Sequence, residues 1–392
     1  MGSARSPSSP RGRPGGPAGP RLGEARLLGN RLPNSQIFWL AFGSRLTISV
    51  ALLPVLTLSR AGRDAWLASL MGFIPSAAIA WLVSYAAERF AGEGIAGQAR
   101  RALGRIGGSL VVAVFLWSYL HLAAVLLREY AEAIVTIILP TTPVAAVLIV
   151  VGLLVAIAAE QDTPTLGRMA SLVGPFMVLS ILLIALLVTP ELEMARLRPV
   201  LTSGARGLLS GVLVSSVWHT TVFWFPALAP SVLDMRSGRR TLLVAVASGS
   251  VSVSFISALA VSALTGDLAV KSSFPLFMVA RLVSLGELVQ RIDGVAVGAW
   301  GFGLIMTASL VLHSAAVALA DLTGLPDHRR IVKPLTLLGV VLAMMTARDV
   351  IELRQFADAR VLVPYVAAHV WLPTLILAAA ARLRAGRTAG LR

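Results

Sequence analysis

Long apolar runs, separated by short polar stretches, follow one another along nearly the whole chain. A helix that crosses a bilayer needs roughly 20 predominantly apolar residues. On that measure the pattern predicts ten helices, at about 36–58, 65–88, 107–139, 143–159, 166–189, 207–230, 240–265, 291–320, 331–347 and 360–382. Two of these runs share a flaw. The sixth carries Ser215, Ser216, Trp218, His219, Thr220 and Thr221 in its middle and then Pro226; the first carries Gly43, Ser44, Arg45, Thr47 and Ser49 and then Pro54. Proline removes an intrahelical hydrogen bond and clashes with the preceding turn. Small hydroxyl side chains can re-satisfy the backbone groups it frees. Both runs are therefore expected to be broken helices.

Five spans per half, an odd number, would set the two halves in opposite orientations. Interruptions at matching positions of the two halves are a sequence pointer to a mid-membrane binding site. The predicted fold is all-α: a polytopic membrane protein of ten transmembrane helices, a LeuT-like 5+5 inverted repeat with broken first and sixth helices. It forms a single membrane domain over 35–385, with halves at about 36–189 and 207–382. Residues 1–34, rich in Pro, Gly, Ser and Arg, are too poor in apolar residues to build a core and predict a disordered basic tail. An amphipathic piece at 93–105 is expected to rest on the membrane surface. A helical outer loop is expected at 272–290, opened by Pro275 and bent at Gly286. With an even number of spans both termini share one side. The excess of Lys and Arg on that side makes them cytoplasmic.

Composition supports the membrane reading. Of 392 residues, 56% are hydrophobic and only 14% charged, with a mean hydropathy of +0.81. A soluble domain of this length needs far more charge to cover its surface. The net charge of +15 comes from basic residues scattered between apolar segments, which suits helix orientation and excludes a nucleic-acid surface. The absence of cysteine removes disulfides, thiolate metal sites and thiol chemistry. The five histidines lie on separate elements without metal-ligand spacing, and no phosphate-binding glycine loop joins a strand to a helix. Neither an enzyme nor a bound cofactor or metal is expected.

The candidate chemistry is a binding site. Where a helix breaks, free N–H groups at one half-helix end attract a carboxylate, and free C=O groups favour an ammonium or a cation. Thr47 and Ser49, with Trp218, His219 and Thr220, would surround that site; each alone is also a small polar packing residue. In the third span Ser118, His121, Val125, Arg128 and Glu132 share one helix face by their spacing of three and four. Leu122 is placed either to meet the apolar part of a ligand or to serve as a core leucine. Arg128 and Glu132 can pair, as a structural bridge or as a gate, near the outer end. Arg45 either snorkels toward the cytoplasm or holds an inner gate. Acidic residues deep in the spans are limited to Glu129 and Glu132, which argues against proton-driven transport.

Several short motifs carry a family resemblance. They are Gln36, Pro54, RDAWLA at Arg63–Ala68, LGRIGG at Leu103–Gly108, LREYAE at Leu127–Glu132 and Thr142-Pro143. They continue with LRPVL at Leu197–Leu201, Phe274-Pro275 and QRIDGVAVGAW at Gln290–Trp300. In this order, over about 300 residues, the chain resembles the spore germination receptor B subunit, the endospore germination permease family of the amino acid/polyamine/organocation superfamily. The sequence departs from that pattern at two places. Thr47-Ile48-Ser49 stands where glycine is usual in the first span, and Trp218-His219-Thr220 where a Gly-Glu pair is common in the sixth.

The resemblance implies a nutrient-sensing permease subunit in the spore inner membrane, a cell membrane, working with the A subunit and the C lipoprotein of the receptor. It implies a small germinant, often an amino acid, as ligand. It also places Thr307, seven residues after the landmark Trp300, where the superfamily's eighth span lines the pocket; a bond to its own helix is the plainer role. An amino acid transporter of the same superfamily, symporter or exchanger, is the alternative.

Overall fold

In the computed structural model, residues 31–389 are described, apart from 51, 219, 265–267, 269–270 and 284–292. Most of the expected basic tail, and the Gly286 bend, lie outside the described residues. The end of the tail is anchored: Leu32 is buried and its N–H donates to the Ser231 carbonyl at 2.7 Å.

Among the described residues every secondary-structure element is helical, with one isolated bridge between Leu32 and Val232. The first expected span is two helices, α1 (Asn34–Val50) and α2 (Leu53–Ala61). Helix α1 stays regular through Thr47 and Ser49, so the interruption falls after Val50, a few residues later than the polar cluster suggests. Pro54 lies at the first turn of α2, where its missing N–H costs nothing. The second span is α3 (Ala65–Met71) and α4 (Phe73–Arg89).

The long helix α5 (Ile95–Ile137) kinks at Gly104, whose φ of 80° suits glycine alone. Its first arm carries the amphipathic piece, and that piece packs on protein: Ile95, Ala96, Ala99 and Ala102 are buried. The Gln98 amide donates to the Pro226 carbonyl at 3.0 Å, and Ala96 N donates to Asp321 at 2.7 Å. The resting place is the end of the bundle.

Helices α6 (Val144–Ala159) and α7 (Thr163–Leu187) complete the first half. The sixth span mirrors the first. Helix α8 (Gly204–Trp218) stops at the polar cluster, a 3-10 segment runs over Thr220–Trp224, and α9 (Phe225–Leu228) begins with Pro226 in its first turn. Then come α10 (Met235–Ala263), the outer helix α11 (Pro275–Leu282), opened by proline as expected, and α12 (Asp293–Thr323). Helix α13 (Arg329–Thr346) meets α14 (Val350–Phe356) at a bend of 96°. The last span is α15 (Ala359–Val366), a π-turn at Ala367–Trp371, and α16 (Leu372–Ala389).

By length and composition, seven helices among the described residues suffice to cross a membrane, or eight with the bent pair counted as one. The broken α1 and the 16-residue α6 fall short of that ruler taken singly.

The polarity of the bundle is that of a protein solvated by lipid. Leu172 is 77% exposed and Met345 76%, while Arg45, Glu129, Thr307, Ser309 and His313 are fully buried. Helix α1 packs on α7, α10 and α12, and α2 packs on α8, so the two broken spans meet at the centre. Helix α5 crosses α12 and α13, bringing its middle to the same place.

Candidate functional site

A small cavity of about 60 Å³, partly open to the outside, lies where the break of the sixth span faces α5 and the last span. One wall is the break: Val217, Trp218, Thr220, Thr221 and Phe223. The facing wall is one stripe of α5, Ser118, His121, Leu122 and Val125. Leu362, Tyr365, Val366, His369 and Val370 of the last span form the third side, with Phe356 of α14 and Ile48 of α1 at the margins.

Local chemistry holds these walls. The Tyr119 hydroxyl donates to the Phe223 carbonyl at 2.9 Å, and the two rings stack at 4.9 Å. That bond satisfies a backbone acceptor that the interrupted helix leaves over. Across the cavity, Pro364 inside α15 precedes the π-turn, a wide turn that often marks a functional place. The His369 carbonyl there accepts from the Ser118 hydroxyl at 2.8 Å. Trp117 Nε1 donates to the Tyr365 hydroxyl at 2.8 Å, a second tie between α5 and the last span. The His121 ring sits among Trp117, Phe356 and Tyr365, with centroids 5.4, 5.6 and 5.2 Å away. The indole N–H of Trp218 and the hydroxyl of Thr221 are buried and have no hydrogen-bond partner among the described residues.

Of the residues singled out in the sequence, Leu122, Trp218 and Thr220 line this cavity, and so do Ser118, His121 and Val125. His219 lies outside the described residues. Thr47, Ser49 and Thr307 are fully buried in helix packing beside it. Thr47 donates to the Gly43 carbonyl at 2.8 Å and Ser49 to the Arg45 carbonyl at 2.5 Å. Thr307 donates to the Gly303 carbonyl at 2.8 Å and reaches the Thr47 hydroxyl at 3.2 Å. Arg45 does not reach a surface: it is fully buried and donates to the Ser250 hydroxyl of α10 at 2.7 Å. Arg128 pairs with Glu132 at 2.5 Å, as their spacing predicts, and also donates to the Arg348 carbonyl at 2.7 Å, in the bend between α13 and α14.

Two features escaped the sequence reading. The last span supplies a whole side of the cavity, although its Tyr365 and His369 carry no local motif. Glu129, fully buried, accepts from the Leu52 N–H at 3.2 Å and so caps the first turn of α2 at the break of the first span. The sequence reading noted Glu129 only for its bearing on proton-driven transport, and its place in an apolar span was the available signal. Among the described residues, no group of three or more His, Asp or Glu is arranged to hold a metal ion.

Comparison with known proteins agrees with this architecture. The sequence pattern of the family described as spore germination protein matches residues 31–350. Spore germination protein KB of Bacillus subtilis (strain 168) is 24% identical over 298 residues, covering 75% of this chain and 80% of the relative. Spore germination protein YndE of the same strain is 26% identical over 157 residues, 40% of this chain and 43% of the relative. Among solved structures, Mhp1, a nucleobase-cation-symport-1 family transporter in a closed conformation with bromovinylhydantoin bound, superposes with a TM-score of 0.65 at 13% identity, covering 89% of this chain and 78% of that one. MhsT in complex with L-phenylalanine gives 0.64 at 12%, covering 87% of each chain. At such identities the likeness establishes the fold, a LeuT-like helical bundle.

Proposed function

The chain belongs to the spore germination protein family, and we propose that it senses a small nutrient, such as an amino acid, in the cavity between the broken sixth span, α5 and the last span. The observation that carries this reading is the composition of the cavity walls. One wall is an interrupted helix, and another includes Phe356, which lies beyond a 96° bend tied to α5 through Arg128. A nutrient seated there touches elements able to move against each other. By binding one arrangement more tightly than the other, it shifts the population of the whole bundle. Partner subunits, an A-type membrane protein and a C-type lipoprotein, would read that shift.

The protein is integral to the membrane. Ten spans, a membrane domain over 35–385, a basic arm at 1–34, both termini cytoplasmic and residence in the spore inner membrane complete the proposal. Arg128 and Glu132 serve as an outer gate pair, and Arg45 as a fixed charge between α1 and α10. Trp218, His219, Thr220 and Leu122 are the ligand-facing residues. Thr47, Ser49 and Thr307 support the chamber from behind.

Filling the cavity tests this. Leu122→Trp should abolish nutrient-triggered germination while leaving the protein at wild-type abundance in the membrane. A wild-type dose response in that variant would remove the cavity from the mechanism. The solved neighbours include a transporter with bromovinylhydantoin bound and MhsT in complex with L-phenylalanine, which favours transport as the second reading. Concentrative uptake of labelled amino acid into proteoliposomes would support it over sensing.

A further inference from the structure

A second and larger space lies at the end of the bundle where α5 finishes. It is a groove of about 250 Å³ between α11 and the last turn of α5, against about 60 Å³ for the cavity at the sixth span. The two share no lining residue. The floor of the groove is apolar. Phe274 and Phe277 are buried in it, and the half-buried Ile137 and Met278 complete it.

The charge on this floor has one sign. Lys271 and Arg281 line the groove and are exposed, while the lining holds no Asp or Glu among the described residues. Arg281 holds Asp293 through Nε at 2.8 Å. A guanidinium presents five N–H donors in a planar fork, so its terminal nitrogens are left for another acceptor. Lys271 brings three donors and has no acidic partner among the described residues. Arg354 of α14 adds a third cation nearby, reaching the Lys271 carbonyl at 3.5 Å.

Cations over an apolar floor match a molecule with one anionic end and a hydrocarbon body. A small soluble anion would satisfy the donors and leave the floor to water. The rim names the source. Leu268, and Ile138 and Leu139 just after α5, are large apolar side chains exposed at the end of a spanning helix, and such patches mark contact with a membrane. Lys and Arg bind phosphate through charge-assisted bonds, and basic pockets between spanning helices take the headgroups of anionic lipids.

We propose that the groove holds an anionic phospholipid of the leaflet at this end, with its phosphate between Lys271 and Arg281 and an acyl chain along Ile137, Phe277 and Met278. The site is independent of whatever the cavity at the sixth span binds. A zwitterionic lipid fits it poorly, because its own cation meets Lys271 and Arg281.

The test uses the purified full chain in an uncharged detergent, with three probes: phosphatidylglycerol, phosphatidylcholine carrying the same acyl chains, and inorganic phosphate. Phosphatidylglycerol should raise the thermal unfolding midpoint in proportion to the logarithm of its concentration, and the other two should not. Lys271→Glu reverses an exposed charge and should weaken phosphatidylglycerol binding by about tenfold or more, the worth of a hydrogen bond to a charged group. Lys271→Arg should retain it. Arg330→Gln removes an exposed cation at the start of α13, toward the opposite end of the bundle, and should leave binding unchanged. Should Lys271→Glu not yield folded protein, Lys271→Gln carries the same comparison. No shift with phosphatidylglycerol, equal shifts with both lipids, or wild-type affinity without Lys271 overturns the site. An equal loss in Arg330→Gln also overturns it, since the response would then follow net charge alone. Inorganic phosphate binding as tightly as phosphatidylglycerol would make this a soluble-anion site, and the lipid assignment would fall.

Discussion

The hydroxyls of Thr307 and Thr47 lie 3.2 Å apart, joining α12 to α1 over 260 residues of chain. Beside it, Trp300 Nε1 donates to the Thr47 carbonyl at 2.7 Å. The two contacts clamp the end of α1, which stops at Val50. Thr307→Val keeps the shape and removes the hydroxyl. It should lower stability by about 0.5–1.5 kcal/mol, the usual net worth of one hydrogen bond, while leaving nutrient affinity within twofold of wild type. Thermal unfolding with and without nutrient reads both quantities. A tenfold loss of affinity with no loss of stability would move Thr307 from the clamp into the ligand shell.

Asp64 joins the two halves at another place. Its carboxylate accepts from Leu201 N at 2.7 Å, Ser203 N at 3.0 Å and the Ser203 hydroxyl at 2.8 Å. The turn before α3 is thereby fixed to the loop before α8, where Leu201 adopts a left-handed φ of 65°. Arg63 adds a bond to the Arg198 carbonyl at 3.1 Å. Asp64→Ala leaves two backbone donors without their charged acceptor and should cost about 1.5–3 kcal/mol. Ser203→Ala, which retains both backbone bonds, should cost less. Equal effects of the two substitutions in chemical denaturation would show that the backbone donors are not what the carboxylate holds.

Which parts of this architecture show in the sequence follows from how local their causes are. The two breaks are announced by Pro54 and Pro226, because proline acts on its own turn. The stripe Ser118–His121–Val125 follows from helical spacing alone, as does the Arg128–Glu132 pair. The face that α1 turns to the cavity is another matter. Thr47, Ile48 and Ser49 are neighbours, yet successive residues point about 100° apart, and it is Ile48 that reaches the cavity. Polarity misleads there, because a helical Thr or Ser can satisfy itself on the carbonyl four residues back. The side formed by Tyr365 and His369 depends on a π-turn and on long-range packing, which no local pattern encodes. It also lies beyond residue 350, where the family match ends.

Gly249 is required by a side chain far away in sequence. A Cβ added there would come within 2.6 Å of Arg45 Nε and 3.0 Å of its Cδ. Gly249→Ala should destabilise the protein by about 1–3 kcal/mol through overpacking. Arg45→Met, which withdraws the bulky head, should offset most of that loss when the two are combined. A double-mutant cycle in thermal unfolding measures the coupling. Strict additivity would mean that α10 tolerates the methyl by some other adjustment.

Arg128 connects α5 to the 96° bend between α13 and α14. It donates to Glu132 at 2.5 Å within α5 and to the Arg348 carbonyl at 2.7 Å, and Arg348 N donates in turn to Glu352 at 2.6 Å. Glu352 belongs to α14, which carries Phe356 to the cavity wall against His121. Removing one member of a buried pair costs about 3–5 kcal/mol, because the other charge is left uncompensated. Stability alone would therefore not separate a gate from a brace. A labelling experiment does, since the chain has no cysteine of its own. Phe356→Cys introduces a single thiol whose modification rate by a polar reagent reports how often α14 lifts from α5. Arg128→Gln in that background should speed labelling at least tenfold, and saturating nutrient should slow it in the parent. Glu132→Gln leaves the bond to the Arg348 carbonyl in place and should speed labelling less. Equal rates with and without Arg128 would make the pair a brace, and would leave the motion of α14 to be driven from elsewhere in the cavity.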